Sequence, residues 1–128
     1  MSIALMFIVA CSHKQNEKFK IVNDVAEVKI DSLHYNLGII PILNDYVINY
    51  NLTSVSDIPL KIIYVKPSCS CTIVHYDKNF LEKGETTTIS LVYNPDYPGE
   101  FESSISVYAN IKESPLELSF SGIGINAN

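Results

Sequence analysis

Apolar and polar residues alternate with a period of two along most of the chain. In the clearest case Tyr46, Ile48, Tyr50 and Leu52 share one face of an extended segment, and mainly polar residues share the other. This alternation is typical of a half-buried β-strand. Six further segments, the first two weaker, fit the same pattern: Val25 to Ile30, Leu33 to Leu37, Ile58 to Val65, Thr87 to Tyr93, Phe101 to Ala109 and Leu116 to Gly122. The pattern predicts seven or eight strands.

Turn-forming residues separate the predicted strands. Lys83-Gly84-Glu85, Asn94-Pro95-Asp96 and Pro98-Gly99 are examples, and glycine and proline are poorly suited to the middle of a central strand. No segment after the first ten residues keeps a period of 3.6 residues, so we expect helices of a turn at most. The sequence therefore predicts an all-β domain over residues 24–128, built as an antiparallel β-sandwich of seven or eight strands. Residues predicted to face its core include Ile89, Leu91, Phe101, Ile105, Val107, Leu116, Leu118 and Phe120.

The N-terminal segment has a different character. Residues 1–10 carry no charge and are apolar from Ile3 onward, and the chain turns polar directly after Cys11. The apolar run is too short to span a bilayer as a helix, but it fits a secretory signal peptide. Ile8-Val9-Ala10-Cys11 resembles the lipobox of bacterial lipoproteins. This resemblance implies that Cys11 is acylated and becomes the first residue of the mature protein, which leaves residues 11–23 as a polar tether.

Composition and charge narrow the function. The 128 residues are enough for one domain, and 14 acidic residues against 9 basic ones give a formal net charge of -5. No Lys/Arg-rich run is present to neutralise a phosphate backbone, so a nucleic-acid ligand is not expected. With the proposed export signal, these features predict a protein of the bacterial cell envelope. We expect it to be anchored to the lipid bilayer through acylated Cys11 and to face the periplasm or the exterior.

Five short motifs, in order along the chain, carry a resemblance to a known family. They are Leu37-Gly38, the strand from Tyr46 to Thr53, Pro67-Ser68-Cys69-Ser70-Cys71-Thr72, Leu81-Glu82-Lys83-Gly84-Glu85 and Gly99-Glu100-Phe101. Over Leu33 to Ile125 the chain resembles the domain-of-unknown-function family numbered 1573, which implies an Ig-like sandwich without an established activity. Ser70, Lys83 and Leu37 depart from the family pattern, which has Gly, Pro and Phe at these places. Ser70 matters most, because Gly permits backbone conformations that Ser resists.

Cys69 and Cys71 raise the main chemical question of the domain. In an extended segment they lie about 6.6 Å apart and face the same way, so a disulfide between them needs a local turn. The interpretations that stay open are a structural role, as a disulfide or as buried thiols, a redox role, and binding of a soft metal. His75 is the nearest further ligand, but it lies about 13 Å away along an extended chain. No cofactor and no complete metal site are expected.

Catalytic patterns do not appear in the sequence. There is no Gly-x-Ser-x-Gly elbow, no pair of histidines with metal-ligand spacing and no Gly-rich phosphate loop, so we expect no enzymatic activity. His13 in the tether and His34 in a predicted edge strand are interpreted as solvated side chains. Of the eight tyrosines most fit core positions, and any that are exposed together would indicate a binding patch. The predicted function is a non-enzymatic binding or scaffolding module with a protein partner in the envelope. The alternative is a thiol redox or metal-handling protein that uses Cys69 and Cys71.

Overall fold

The computed structural model describes residues 25–69 and 72–126, and the regular structure in these ranges consists of eight β-strands. In chain order they are β1 (Val28–Ile30), β2 (His34–Pro41), β3 (Tyr46–Ser54), β4 (Ile62–Pro67), β5 (Thr72–His75), β6 (Thr86–Tyr93), β7 (Gly99–Ala109) and β8 (Leu116–Ile125). The proposed signal segment 1–10, the whole predicted tether 11–23 and Cys71 lie outside the described residues. No helix of the described residues is long and apolar enough to cross a membrane.

The strands form two sheets of four that pack face to face. The first sheet has the order β1-β3-β6-β5 and the second has the order β2-β8-β7-β4. All pairings are antiparallel except that of β2 with β8, which is parallel. The predicted β-sandwich is therefore confirmed, with one parallel pair at an edge of the second sheet.

Most strand predictions agree with the structure, and two differ from it. The predicted strand from Ile58 to Val65 begins only at Ile62, because Leu60 instead bonds Leu81 in an isolated bridge. The sequence also missed β5, whose four residues are too few for a visible alternation.

The core fills the space between the inner faces of the two sheets. Tyr50, Ile89, Leu118 and Phe120 are fully buried there, as the alternation predicted. Full burial of one such apolar side chain contributes roughly 1.5–3 kcal/mol. The Tyr50 hydroxyl donates a hydrogen bond to the main-chain oxygen of Ser119, so the phenol is satisfied inside the core and ties the first sheet to the second. Burial raises the pKa of Tyr50 to about 12.

The sandwich has two ends, the base and the apex. The base is the end where Ala26, Leu60 and Ala109 form a second buried cluster. The apex is the opposite end, where β7 begins at Gly99 and β8 ends at Ile125. The main-chain N–H of Ala26 donates to Asn110 O at 2.7 Å, so the described chain starts at the base.

Candidate functional site

The cysteine motif lies at a corner where the chain passes from one sheet to the other. It follows β4, an edge strand of the second sheet, and precedes β5, an edge strand of the first. Ser68 fastens the corner to β7: its N–H donates to Ser104 O at 2.9 Å, and its hydroxyl oxygen lies 3.0 Å from that of Ser103. The motif is thus held by the sandwich on its β4 side.

A tight turn follows directly. The Thr72 N–H donates to Cys69 O at 3.3 Å, which is the hydrogen bond between the first and fourth residues of a β-turn. Cys69 is half-buried and disulfide-bonded. Ser70 and Cys71 lie outside the described residues, as does Cys11. A bond between Cys69 and Cys71 therefore stays a prediction.

The structure separates the other residues considered as ligands. His75 ends β5 with an exposed side chain, and its register partner on β6 is Ser90. The described residues contain no group of three or more His, Cys, Asp or Glu side chains that could hold a metal ion. His13 lies outside the described part of the chain.

His34 lies on the exposed face of edge strand β2, as predicted. Its ring reaches across β8: Nδ1 lies 2.6 Å from the hydroxyl oxygen of Ser119, and Nε2 lies 2.9 Å from that of Ser121. Both ring nitrogens are thereby engaged. The contact fixes the ring against the open face of the sheet.

Two exposed tyrosines lie together at the β4 side of the second sheet. The ring centroids of Tyr64 and Tyr108 are 6.2 Å apart, and the side chains are 50% and 37% exposed. A β-bulge between Ile62 and Tyr64 places both Ile63 and Tyr64 outward. Sequence reasoning allowed for such a patch but could not name its members, because regular alternation would turn Tyr64 toward the core.

A groove of about 490 Å³ lies on the second sheet at the apex. Its floor includes Gly122 and the ring of Phe101, and Ile39 and Ile123 lie side by side along it. These two isoleucines are 67% and 41% exposed. An apolar floor open to solvent costs free energy in the unbound domain, which is typical of a binding surface.

Two glycines create the groove. Gly38 has a φ of +72° and lies in the irregular stretch of β2 between Asn36 and Ile39, where the register with β8 shifts. At Gly122 an added Cβ would lie 2.6 Å from Phe101 Cζ and 2.9 Å from Gly38 O. Any larger residue at position 122 would therefore displace backbone or fill the groove. Gly38 was noted in the sequence as part of a motif, but Gly122 had no signal, because its role depends on a neighbouring strand.

The rim of the groove is acidic. Glu100 and Glu102 project from β7 beside it, and neither forms an ion pair with a described residue. Below the floor Phe101 packs on Tyr93 and Phe120, with ring centroids 5.1 and 6.4 Å away. The groove is therefore a surface supported by the core, with apolar groups in the middle and free carboxylates at one side.

Comparison with solved structures finds sandwiches of similar shape at low sequence identity. A protein of unknown function from Porphyromonas gingivalis W83 has a TM-score of 0.66 at 14% identity; the match covers 77% of this chain and 46% of that one. The chain thus spans less than half of that protein. The PapD-like domain 7 of human CEP192 has a TM-score of 0.65 at 13% identity, with 81% of this chain and 89% of that domain covered.

The Vibrio cholerae VesB protease also contains a similar region. Its TM-score is 0.60 at 11% identity, and the match covers 85% of this chain but only 34% of the protease. At such identities these likenesses show the fold alone. No curated protein matches the chain. An Ig-like fold in a family without known function fits a non-enzymatic binding domain.

The family comparison covers most of the sandwich. The family model described as a protein of unknown function, DUF1573, matches residues 28–123, from the first strand to the last. The motifs on which the resemblance was based fall inside this range. The chain belongs to the DUF1573 family.

Proposed function

We propose that this protein is a non-enzymatic binding module of the bacterial envelope that is anchored by acylated Cys11 and holds a protein partner at its apex. The observation that carries the proposal is the groove at the apex, where Ile39 and Ile123 are exposed on a glycine floor. A contiguous apolar patch left open to solvent marks a binding site on many protein surfaces.

The position of the groove supports an anchored module. Along β7, Phe101 in the groove and Asn110 beside Ala26 are nine residues apart, or about 30 Å. The chain toward Cys11 leaves from the base, because Val25 is the first described residue and Ala26 bonds Asn110 there. An anchor at Cys11 would leave the apex pointing away from the membrane.

The experiment is site-specific photo-crosslinking in intact envelopes. A photo-reactive residue is placed at position 39 in the groove and, as a matched control, at position 55, since Val55 is exposed on the loop after β3 at the base. The proposal expects one discrete protein adduct from position 39 and none of the same mass from position 55. Equal labelling from both positions, or no adduct from position 39, would overturn it.

The anchor is tested separately. Intact protein should carry the mass of an acylated Cys11 and partition into detergent, and Cys11→Ser should move to the aqueous phase with the same thermal unfolding temperature. A processed protein with an unmodified Cys11 would contradict the anchoring half of the proposal.

A further inference from the structure

Strand β3 is paired along nearly its whole length on one side but only near its end on the other. On one side β6 pairs with it from Tyr46 to Thr53. On the other side β1 pairs only with residues Leu52 to Ser54. The upper part of β3, from Tyr46 to Tyr50, therefore has an edge on the β1 side that no described strand pairs with.

The hydrogen bonds at Asn51 show which main-chain groups face this edge. Asn51 N–H donates to Asp31 Oδ1 at 3.0 Å, and Asp31 N–H donates to Asn51 O at 3.2 Å. Alternate residues of a strand point their N–H and C=O to the same side. The main-chain groups of Val47 and Asn49 thus point away from β6 to the open edge. Their two N–H and two C=O groups have no hydrogen-bond partner among the described strands.

Asp31 lies where the pairing of β1 with the edge of β3 ends. Its carboxylate accepts hydrogen bonds from Asn51 N–H, from the Asn51 side-chain amide and from the Tyr35 hydroxyl. Burial raises the pKa of Asp31, but these hydrogen bonds outweigh it and hold the pKa below its usual value. Beyond this cap β1 does not continue, and none of the described strands lies next to Val47 and Asn49 on this side.

The open edge adjoins a cleft of about 270 Å³ between the two sheets. Its walls include Leu37 of β2 on one side and Val47, Ile48 and Asn49 of β3 on the other. A chain lying there in extended form would place every second side chain between Leu37 and Ile48, in a space suited to small apolar groups. The side chains between them would join the outer face, where Asn49 accepts a hydrogen bond from Ser90.

Charge at the two ends of the open stretch restricts the kind of segment that can bind there. Asp31 lies at its lower end, Asp45 directly precedes β3 at its upper end, and both are exposed. The residues that line the cleft include no Lys or Arg. A guest with cations at its flanks complements these two carboxylates.

We propose that the open edge of β3 takes up an extended segment of a partner protein as an added β-strand, with alternating small apolar and polar residues and Lys or Arg at both ends. This mode of recognition draws affinity from main-chain hydrogen bonds and specificity from alternate side chains. The inference goes beyond the proposed groove, because it assigns a second surface, on the first sheet, to a partner. A separate cationic segment fits better than a second copy of this domain, because the chain has a net charge of -5 and Asp31 and Asp45 lie at the two ends of the open stretch.

The test uses the peptide Lys-Thr-Val-Thr-Val-Thr-Lys, labelled with a fluorophore, and the full chain. Binding should slow hydrogen exchange at the amides of Val47 and Asn49, since these donors become paired. Val47→Pro removes one donor at a position where no strand of the described residues needs it, so the fold should persist. The loss of this ladder bond should weaken peptide binding about tenfold, whereas Val55→Ala, at the base and outside the cleft, should bind as the unaltered chain does.

A second measurement leaves the protein unchanged. Because a strand pairs here through one edge, N-methylation of one alternate set of peptide amides should abolish binding, and N-methylation of the other set should have no effect. Equal effects of both sets, or no added protection at Val47 and Asn49, would overturn the proposal. Protection of Val47 in a dimer without peptide would overturn it in favour of a second copy.

The two proposals can fail separately. A discrete adduct from position 39 in envelopes without peptide protection of β3 would remove strand addition and keep the binding module. Peptide protection at Val47 without any adduct from position 39 would keep strand addition and remove the groove as the partner surface.

Discussion

The base and the apex of this sandwich are built from similar strands, yet one end is closed and the other is open. At the base the main chains of Leu60 and Leu81 bond each other in both directions, at 2.9 and 2.8 Å, and Leu60 is fully buried. At the apex Ile39 and Ile123 stay in solvent above Gly122. The difference shows that a loop folded back over the strand ends buries apolar residues at the base, whereas no described loop does so over Ile39 and Ile123.

Asn110 explains how the base is closed. Its side-chain oxygen accepts from Lys61 N–H and its side-chain nitrogen donates to Pro59 O, each at 2.8 Å. Its main-chain N–H donates to Lys61 O, and its main-chain oxygen accepts from Ala26. One residue thus ties the start of the described chain to the loop before β4. Among residues 25–69 and 72–126, none covers the groove in this way, which leaves its apolar groups available for binding.

The largest expected effect tests the closed end. Leu60→Ala removes a fully buried side chain from the base cluster and should lower the free energy of unfolding by about 2–5 kcal/mol. Chemical denaturation measures the change, and urea titrations of both proteins should have similar slopes. A loss below about 0.5 kcal/mol, the usual effect of a surface substitution, would mean that the base is not part of the cooperative core.

A smaller loss of stability is expected at the open end from filling the groove. Gly122→Ala brings a Cβ against Phe101 and the backbone oxygen of Gly38, and overpacking of this kind costs about 1–3 kcal/mol. Thermal unfolding reports the loss, and the adduct from position 39 should disappear with it. Gly124→Ala is the control for backbone strain, because its Cβ would meet Ile42 and Tyr97 outside the groove. An undiminished adduct in Gly122→Ala would contradict the assigned partner surface.

Asp31 lies at the edge of β3, where the stretch paired with β1 ends and the open stretch begins. Asp31→Asn should cost about 1 kcal/mol at pH 7, because neutral Asn cannot accept the same set of hydrogen bonds. The pKa of Asp31 is lowered in the folded state, so its contribution is complete above the unfolded pKa near 3.9 and is lost as the pH falls through the folded pKa. Unfolding measured at pH 7 and at pH 2 should therefore show a larger difference between the two proteins at pH 7 than at pH 2. A constant difference at both values would show that the charge of Asp31 is irrelevant.

The smallest effect on stability is expected from the exposed groove residue. Ile39→Ser should change the free energy of unfolding by less than about 0.5 kcal/mol, since the side chain is already 67% exposed. Partner capture at a second groove position, 123, should nevertheless fall. Val55→Ser at the base is the matched control and should leave capture unchanged. A loss of stability in Ile39→Ser as large as that in Leu60→Ala would erase the distinction between the two ends.

Much of the sandwich could be predicted from local pattern. The face of β3 that carries Tyr50 and Leu52 is buried, and the inward residues of β6, β7 and β8 are placed as the alternation indicates. An extended chain turns successive side chains to opposite sides, so the period of two records which side faces the core. The turn glycines Gly84 and Gly99 have positive φ, which is the conformation that favours glycine.

The candidate surfaces depended on contacts between distant segments. Tyr64 points outward only because β4 bulges against β7. The groove needs Gly122 of β8 beside Gly38 of β2. The two strands pair in parallel, although the two glycines are 84 positions apart in the sequence. The open edge of β3 exists because β1 stops at Ile30 and Asp31 caps it.

By itself the sequence determined the strands, their buried faces and the position of the cysteine motif between two extended segments, because these follow from properties of neighbouring residues. Only the tertiary structure decided which strand edges stay unpaired, where the bulges fall and which apolar residues the loops leave exposed. The physical reason is that a strand's own pattern specifies its inner face but carries no information on its neighbour, its register or the point at which that neighbour ends.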